Sequence, residues 1–182
     1  MVRGHGSEKN SKVLLTGRPG IGKTTIIKKL GQSLGESARG FYTAEIREGK
    51  SRRGFEIISL ESEMRKMLAH IDFSTSYRVG KYGVRPDHLE PFVEKLEEAL
   101  KDDNPGVFLI DEIGKMELFS ETFRRVIEQV MDSSVPLVAT IMSRSEPFCD
   151  SLKSHPEAKV LTVTANNRDQ LPGQLLSSLP SN

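Results

Sequence analysis

The chain has 182 residues, a length that suits one domain with a sizeable core rather than two. Its 26 Lys and Arg almost cancel 25 Asp and Glu, and a formal net charge of +1 gives no electrostatic case for duplex DNA or RNA as the main partner. A single cysteine, Cys149, excludes an internal disulfide and fits a reducing compartment, and no apolar run approaches the ~18 residues of a membrane span.

Residues 1–10 (MVRGHGSEKN) are polar and lack the apolar segment of a signal peptide. They are expected to be a disordered lead-in to one domain over residues 11–182 of a cytoplasmic protein. Val13-Leu14-Leu15 then reads as a short buried strand, and residues 25–30 (TIIKKL) as the first turns of a helix. Between them stand Gly17, Arg18, Pro19, Gly20, Ile21, Gly22, Lys23 and Thr24, a complete phosphate-binding loop of the form G-x-x-x-x-G-K-[ST]. A strand–loop–helix with glycines at its turn aims several backbone N–H groups and the positive end of the helix dipole at one spot. The sequence therefore points to a bound nucleoside di- or triphosphate.

Residues 40–47 (GFYTAEIR) have strand character, residues 48–53 (EGKSRR) form a polar turn, and residues 54–60 (GFEIISL) read as the second strand of a hairpin. Residues 61–76 are ambiguous, with Met64, Met67 and Leu68 at helical spacing. Residues 77–84 (YRVGKYGV) are a strand or a glycine-bracketed loop. Residues 86–101 give the clearest helix, opened by Pro86, with Leu89, Phe92, Val93, Leu96 and Leu100 on one face. After Asn104-Pro105-Gly106 comes the apolar strand Val107-Phe108-Leu109-Ile110, ending in Asp111-Glu112. Residues 118–131 form a second amphipathic helix capped by Ser120. Residues 136–141 and 159–164 read as core strands, and residues 166–179 as a helix interrupted by Pro172-Gly173. Strands alternating with helices predict an α/β fold, a mostly parallel sheet covered on both faces.

Within that frame Lys23 is expected to reach the β- and γ-phosphates as a catalytic group, and Thr24 to ligate Mg²⁺ through its hydroxyl, with Thr25 also contributing to the nucleotide site. Asp111, at the end of an apolar strand, suits a Walker B carboxylate serving the Mg²⁺. Glu112 can reach the water that attacks the γ-phosphate and is a candidate general base. If residues 136–141 neighbour residues 107–110, Thr140 or Ser143 comes near the phosphates. A cation on the transferring group is also needed. Arg18 and Lys115 lead as candidates, ahead of Arg144 and Arg168. Lys50, Arg52 and Arg53 read as a solvated hairpin tip. His5, His70, His88 and His155 have no ligand spacing, so no zinc is expected. Cys149 reads as an inert or buried thiol. The Asn-Lys-x-Asp motif that reads guanine is absent.

Taken together, GRPGIGKTT, GFYTAEIR with a following RRGFEI, RVGKYGV, DEIGKMEL and the C-terminal Asn167-Arg168 resemble the THEP1-type nucleoside-triphosphatases, called cancer-related nucleoside-triphosphatase in animals. The resemblance runs from about residue 13 to residue 171. It implies a three-layer αβα P-loop NTPase with a RecA-like, mostly parallel sheet and an antiparallel hairpin. In such a fold the Walker B strand does not follow the P-loop strand in sequence. It also implies slow, Mg²⁺-dependent hydrolysis of ATP, GTP, CTP and UTP with little base selectivity. Carried over, residues 17–24 bind phosphate, Asp111 serves Mg²⁺ and Glu112 serves the water, while the role of Asn167-Arg168 is open. The alternatives are a nucleotide, nucleoside or polynucleotide kinase, or a nucleotide-gated binding module. No membrane partner is expected, nucleic acid is disfavoured and a monomer is favoured.

Overall fold

The computed structural model describes residues 12–179, so the lead-in expected at residues 1–10 lies outside the described residues. Nine strands form one mixed sheet. In chain order they are β1 (Lys12–Thr16), β2 (Ala38–Glu48), β3 (Ser51–Ser59), β4 (Arg65–His70), β5 (Arg78–Val79), β6 (Tyr82–Val84), β7 (Val107–Ile113), β8 (Leu137–Ile141) and β9 (Ala158–Thr162). Across the sheet their order is β5-β6-β4-β3-β2-β7-β8-β1-β9. From β2 to β9 every pairing is parallel, and β8 lies between β1, which leads into residues 17–24, and β7, which carries Asp111 and Glu112. From β2 to β5 every pairing is antiparallel, so the expected β2–β3 hairpin is the root of a longer arm.

Among the described residues five α-helices cover the sheet: α1 (Lys23–Leu34), α2 (Glu90–Ala99), α3 (Glu121–Asp132), α4 (Pro147–Lys153) and α5 (Leu171–Ser178). The period-2 alternation of the parallel strands divides the core in two. On one face Leu14, Phe108, Ile110, Leu137, Ala139 and Ile141 pack with Phe92 and Leu96 of α2 and Phe123, Val126 and Val130 of α3. On the other, Val13, Leu15, Val107, Leu109 and Val138 pack with Ile26, Ile27 and Leu30 of α1 and Leu171 and Leu175 of α5. Ser120 caps α3 as its sequence position indicates, accepting from the Phe123 N–H at 2.9 Å.

Two sequence readings need correction, and two stretches left open take definite form. Residues 61–76 contain no helix. Leu68 and Ala69 of β4 are both buried because Leu68 is an extra residue against Phe55–Glu56, and that bulge imitates helical spacing. The strand over residues 159–164 is not a core strand: β9 is the sheet edge, and Val160 is 40% exposed. Pro172 occupies the first turn of α5 and starts that helix instead of interrupting it. Helix α4, in a stretch assigned no element from sequence, begins at Pro147 behind a Glu146 side chain that accepts from Cys149 N–H.

Candidate functional site

Residues 17–22 connect β1 to α1. Gly17 has φ +146°, and a Cβ there would stand 2.8 Å from the Val163 carbonyl oxygen. Gly22, at φ +114°, sits directly before the first helical residue. Other side chains would be strained at these positions, so the glycines permit the tight path. No side chain caps the start of α1 and no acidic residue lies in its first turn. Its free N–H groups and dipole are left to an anion. Lys23 Nζ donates to the carbonyls of Gly17 (2.9 Å) and Arg18 (3.2 Å), which holds the ammonium over the loop.

The loop forms one wall of a cavity of about 600 Å³. Gly17, Pro19, Gly20, Gly22, Lys23, Thr24 and Thr25 line it, as do Asp111 and Glu112. Arg18 and Ile21 do not; Ile21 is buried beneath the loop.

Asp111 is 2% exposed and fully engaged. Its Oδ2 accepts from Thr24 Oγ1 (2.7 Å), Thr43 Oγ1 (3.1 Å) and Thr43 N–H (3.3 Å). Its Oδ1 accepts from Thr140 Oγ1 at 2.9 Å. Thr140 also accepts from the Glu112 N–H at 2.8 Å. One threonine of β8 therefore fixes two consecutive residues of β7. Thr140, expected near the phosphates, lines the cavity and has Asp111 and Glu112 as its partners. Ser143 lines the cavity.

Consecutive strand residues normally face opposite ways. Here Asp111 and Glu112 both face the cavity because two β7 residues stand against the single Thr140, and Glu112 adopts φ +80°. Among the described residues Glu112 is the one non-glycine with positive φ, a conformation costing about 1–3 kcal/mol that the Thr140 bond helps to sustain. Loss of solvation and the Asp111 charge push the Glu112 carboxyl above the usual carboxylate range, while Lys23 and Arg52 pull it down. Glu117, absent from the sequence-based site, is buried behind it with Oε2 unpartnered. Burial and the Glu112 charge push its carboxyl well above the usual range. A Cβ on Gly114 would lie 3.1 Å from Glu112 Oε1 and 3.2 Å from Glu117 Oε2, so only a glycine's width separates the two acids.

The cations are placed differently from the sequence expectation. Arg18 and Lys115 do not line the cavity, whereas Arg144 and Arg52 do. Arg168 lines a second, smaller cavity of about 270 Å³ against Gly20, Ile21, Gly22 and Thr25. Asn167 bridges its own loop, accepting from Thr164 N–H (2.8 Å) and donating to the Thr162 carbonyl (2.9 Å), and so presents Arg168 to the loop. Arg52 had been read as part of a solvated tip. No local motif marks it, because its position depends on strand register. Cys149 is buried and its thiol is pushed up to about 12 by burial and by Glu146. Among the described residues no group of three or more His, Cys, Asp or Glu is arranged to hold a metal, and no helix is long and apolar enough to cross a membrane.

A family model described as NTPase matches residues 12–176. The nucleoside-triphosphatase THEP1 of Natranaerobius thermophilus is 51% identical over 166 residues, covering 91% of this chain and 94% of that protein. That of Thermotoga maritima is 45% identical over 172 residues, covering 94% and 97%. Among solved structures, THEP1 from Aquifex aeolicus superposes with a TM-score of 0.84 at 39% identity, covering 93% of this chain and 99% of that one. A human cancer-related nucleoside triphosphatase superposes with a TM-score of 0.75 at 32% identity, covering 91% and 95%.

Proposed function

This chain belongs to the NTPase family and is a nucleoside-triphosphatase, and we propose that it hydrolyses ATP, GTP, CTP and UTP to the diphosphates with Mg²⁺, slowly and with little base preference, in the cytoplasm. The observation that carries this reading is the meeting of Thr24 Oγ1 with Asp111 Oδ2 at 2.7 Å, on a cavity shared with Lys23 and Glu112.

Residues 17–24 would receive the triphosphate on backbone N–H groups, with Lys23 moving from the loop carbonyls to the β- and γ-phosphates. A hydroxyl beside a carboxylate is a hard-oxygen donor pair, and Mg²⁺ commonly takes one or two protein ligands alongside water and substrate phosphate. Thr24 and Asp111 fit that requirement. Mg²⁺ held by these residues would supply charge neutralisation to the phosphates. Glu112 takes the proton of the attacking water as its oxygen bonds to the γ-phosphorus and the bond to the β-bridging oxygen breaks. The bulge aims it into the cavity.

Broad base tolerance is supported by the absence of an Asn-Lys-x-Asp guanine-reading motif. The test is phosphate release from ATP, GTP, CTP and UTP separately, each with Mg²⁺ and with a chelator. Rates within about tenfold of one another, all lost with chelator, are expected. A preference above ~100-fold for one base would contradict the tolerance. Tight binding without release from any would favour a kinase lacking its acceptor or a gated binding module.

A further inference from the structure

Phosphoryl transfer builds charge on the γ-phosphoryl oxygens, and a cation placed there is a principal source of acceleration. Of the four cations considered from sequence, two do not line the main cavity and a third lies on the smaller one. Arg144 does line it, but makes no hydrogen bond or ion pair among the described residues. Arg52 is held by three neighbours, with its side chain 44% exposed. Its Nη1 donates to Glu45 Oε1 at 2.7 Å, its Nε donates to Tyr82 OH at 3.1 Å, and its guanidinium lies 5.0 Å from the Phe55 ring centroid. Glu45 is itself bound through Oε2 by Arg47. Those bonds leave the Nη2 group without a hydrogen-bond partner among the described residues.

Register explains how Arg52 gets there. Residues 52 and 55 of a regular strand face opposite sides. In β3 they both line the cavity, because Ile46 pairs with Gly54 and Arg47 with Arg52, leaving Arg53 as one extra residue between them. The bulge turns the end of the hairpin and brings Arg52 round to the Phe55 side.

We propose that Arg52 is a catalytic residue supplied in cis by the antiparallel arm, its free guanidinium nitrogen binding the γ-phosphoryl oxygens as charge develops on them. Glu45 and Tyr82 position it, and the fixed fork costs little reorganisation during the reaction. The assignment rests on the nucleoside-triphosphatase reading above.

The experiment measures single-turnover phosphate release, nucleotide affinity and trapping of ADP with aluminium fluoride in four proteins: wild type, Arg52→Ala, Arg52→Lys and Arg53→Ala. Arg53 pairs with Glu48 and Asp72 and does not line the cavity, so its variant is the matched control. Arg52→Ala is expected to slow release by about 100-fold or more, with affinity for Mg²⁺-ATP within about threefold and fluoride trapping lost. Arg52→Lys keeps the stem and charge but not the fork, and should slow release by about tenfold. Arg53→Ala should remain within about threefold of wild type. Release within threefold of wild type by Arg52→Ala, or unimpaired release by Arg52→Lys if the alanine variant does not fold, overturns the proposal. So does a parallel loss of rate and affinity with trapping retained. An inactive wild type would instead remove the hydrolase reading on which it rests.

Discussion

The two halves of the sheet solve different problems. In the parallel half the strands β1, β7 and β8 are buried on both faces, and the chemistry gathers at their ends: the phosphate loop after β1, Asp111 and Glu112 on β7, Thr140 on β8. The antiparallel arm is more exposed, and it reaches the cavity through Thr43, Ala44, Glu45, Arg52 and Phe55. Both halves use the same device. A single extra residue, beside Thr140 in one half and at Arg53 in the other, brings to the cavity side chains that regular pleating would separate. On the proposed reading the parallel half carries the phosphate and water machinery, and the arm adds Arg52 to it.

The largest effect should fall in the parallel half. Lys23→Ala removes the point charge expected on the β- and γ-phosphates, so turnover should be lost and nucleotide affinity should fall by about 100-fold, measured by phosphate release and calorimetry. Wild-type turnover from this variant would mean that the loop is not the site. A smaller loss is expected at Thr140→Val, which deletes the bonds to Asp111 Oδ1 and from Glu112 N–H. Stability should drop by about 1–3 kcal/mol in denaturant melts, and turnover should drop by about tenfold while nucleotide affinity is retained. An unchanged rate would show that the bulge holds Glu112 without this contact.

The smallest effect is one of pH. Burial raises the Glu117 carboxyl well above its ordinary 4.5, so the folded state binds its proton more tightly than the unfolded chain does. Its contribution is therefore fully present below about pH 4 and is lost as pH rises through that range toward the folded value. Glu117→Gln should melt higher than wild type at pH 8, by a few degrees for about 1 kcal/mol, and the gap should close toward pH 4. A gap that widens on acidification would reverse the assigned direction.

The uneven roles of the halves match what the sequence made legible. The phosphate loop, the Asp111-Glu112 pair, the Ser120 cap and the burial of Phe92 and Leu96 depend on local order, and each can be read from a few neighbouring residues. Thr43 and Glu117 carry no such signature; they matter because the sheet and a tight turn bring them to Asp111 and Glu112. Arg52 is hidden by the bulge that positions it, since period-2 counting puts it on the side away from Phe55. The helical spacing of Met64, Met67 and Leu68 left residues 61–76 ambiguous for the same reason, a bulge at Leu68. The exposed β9 looks like a core strand because its apolar alternation is ordinary, and only strand order reveals an edge.

The most direct test of the central claim is phosphate release by Glu112→Gln beside wild type, with Mg²⁺-ATP affinity measured on the same preparations. The carboxylate at the β7 bulge is assigned to the attacking water and not to nucleotide binding. Unchanged affinity with release slowed by at least ~100-fold is the predicted result. Near-normal release would contradict it, leaving Glu112 a structural residue and the water to another group.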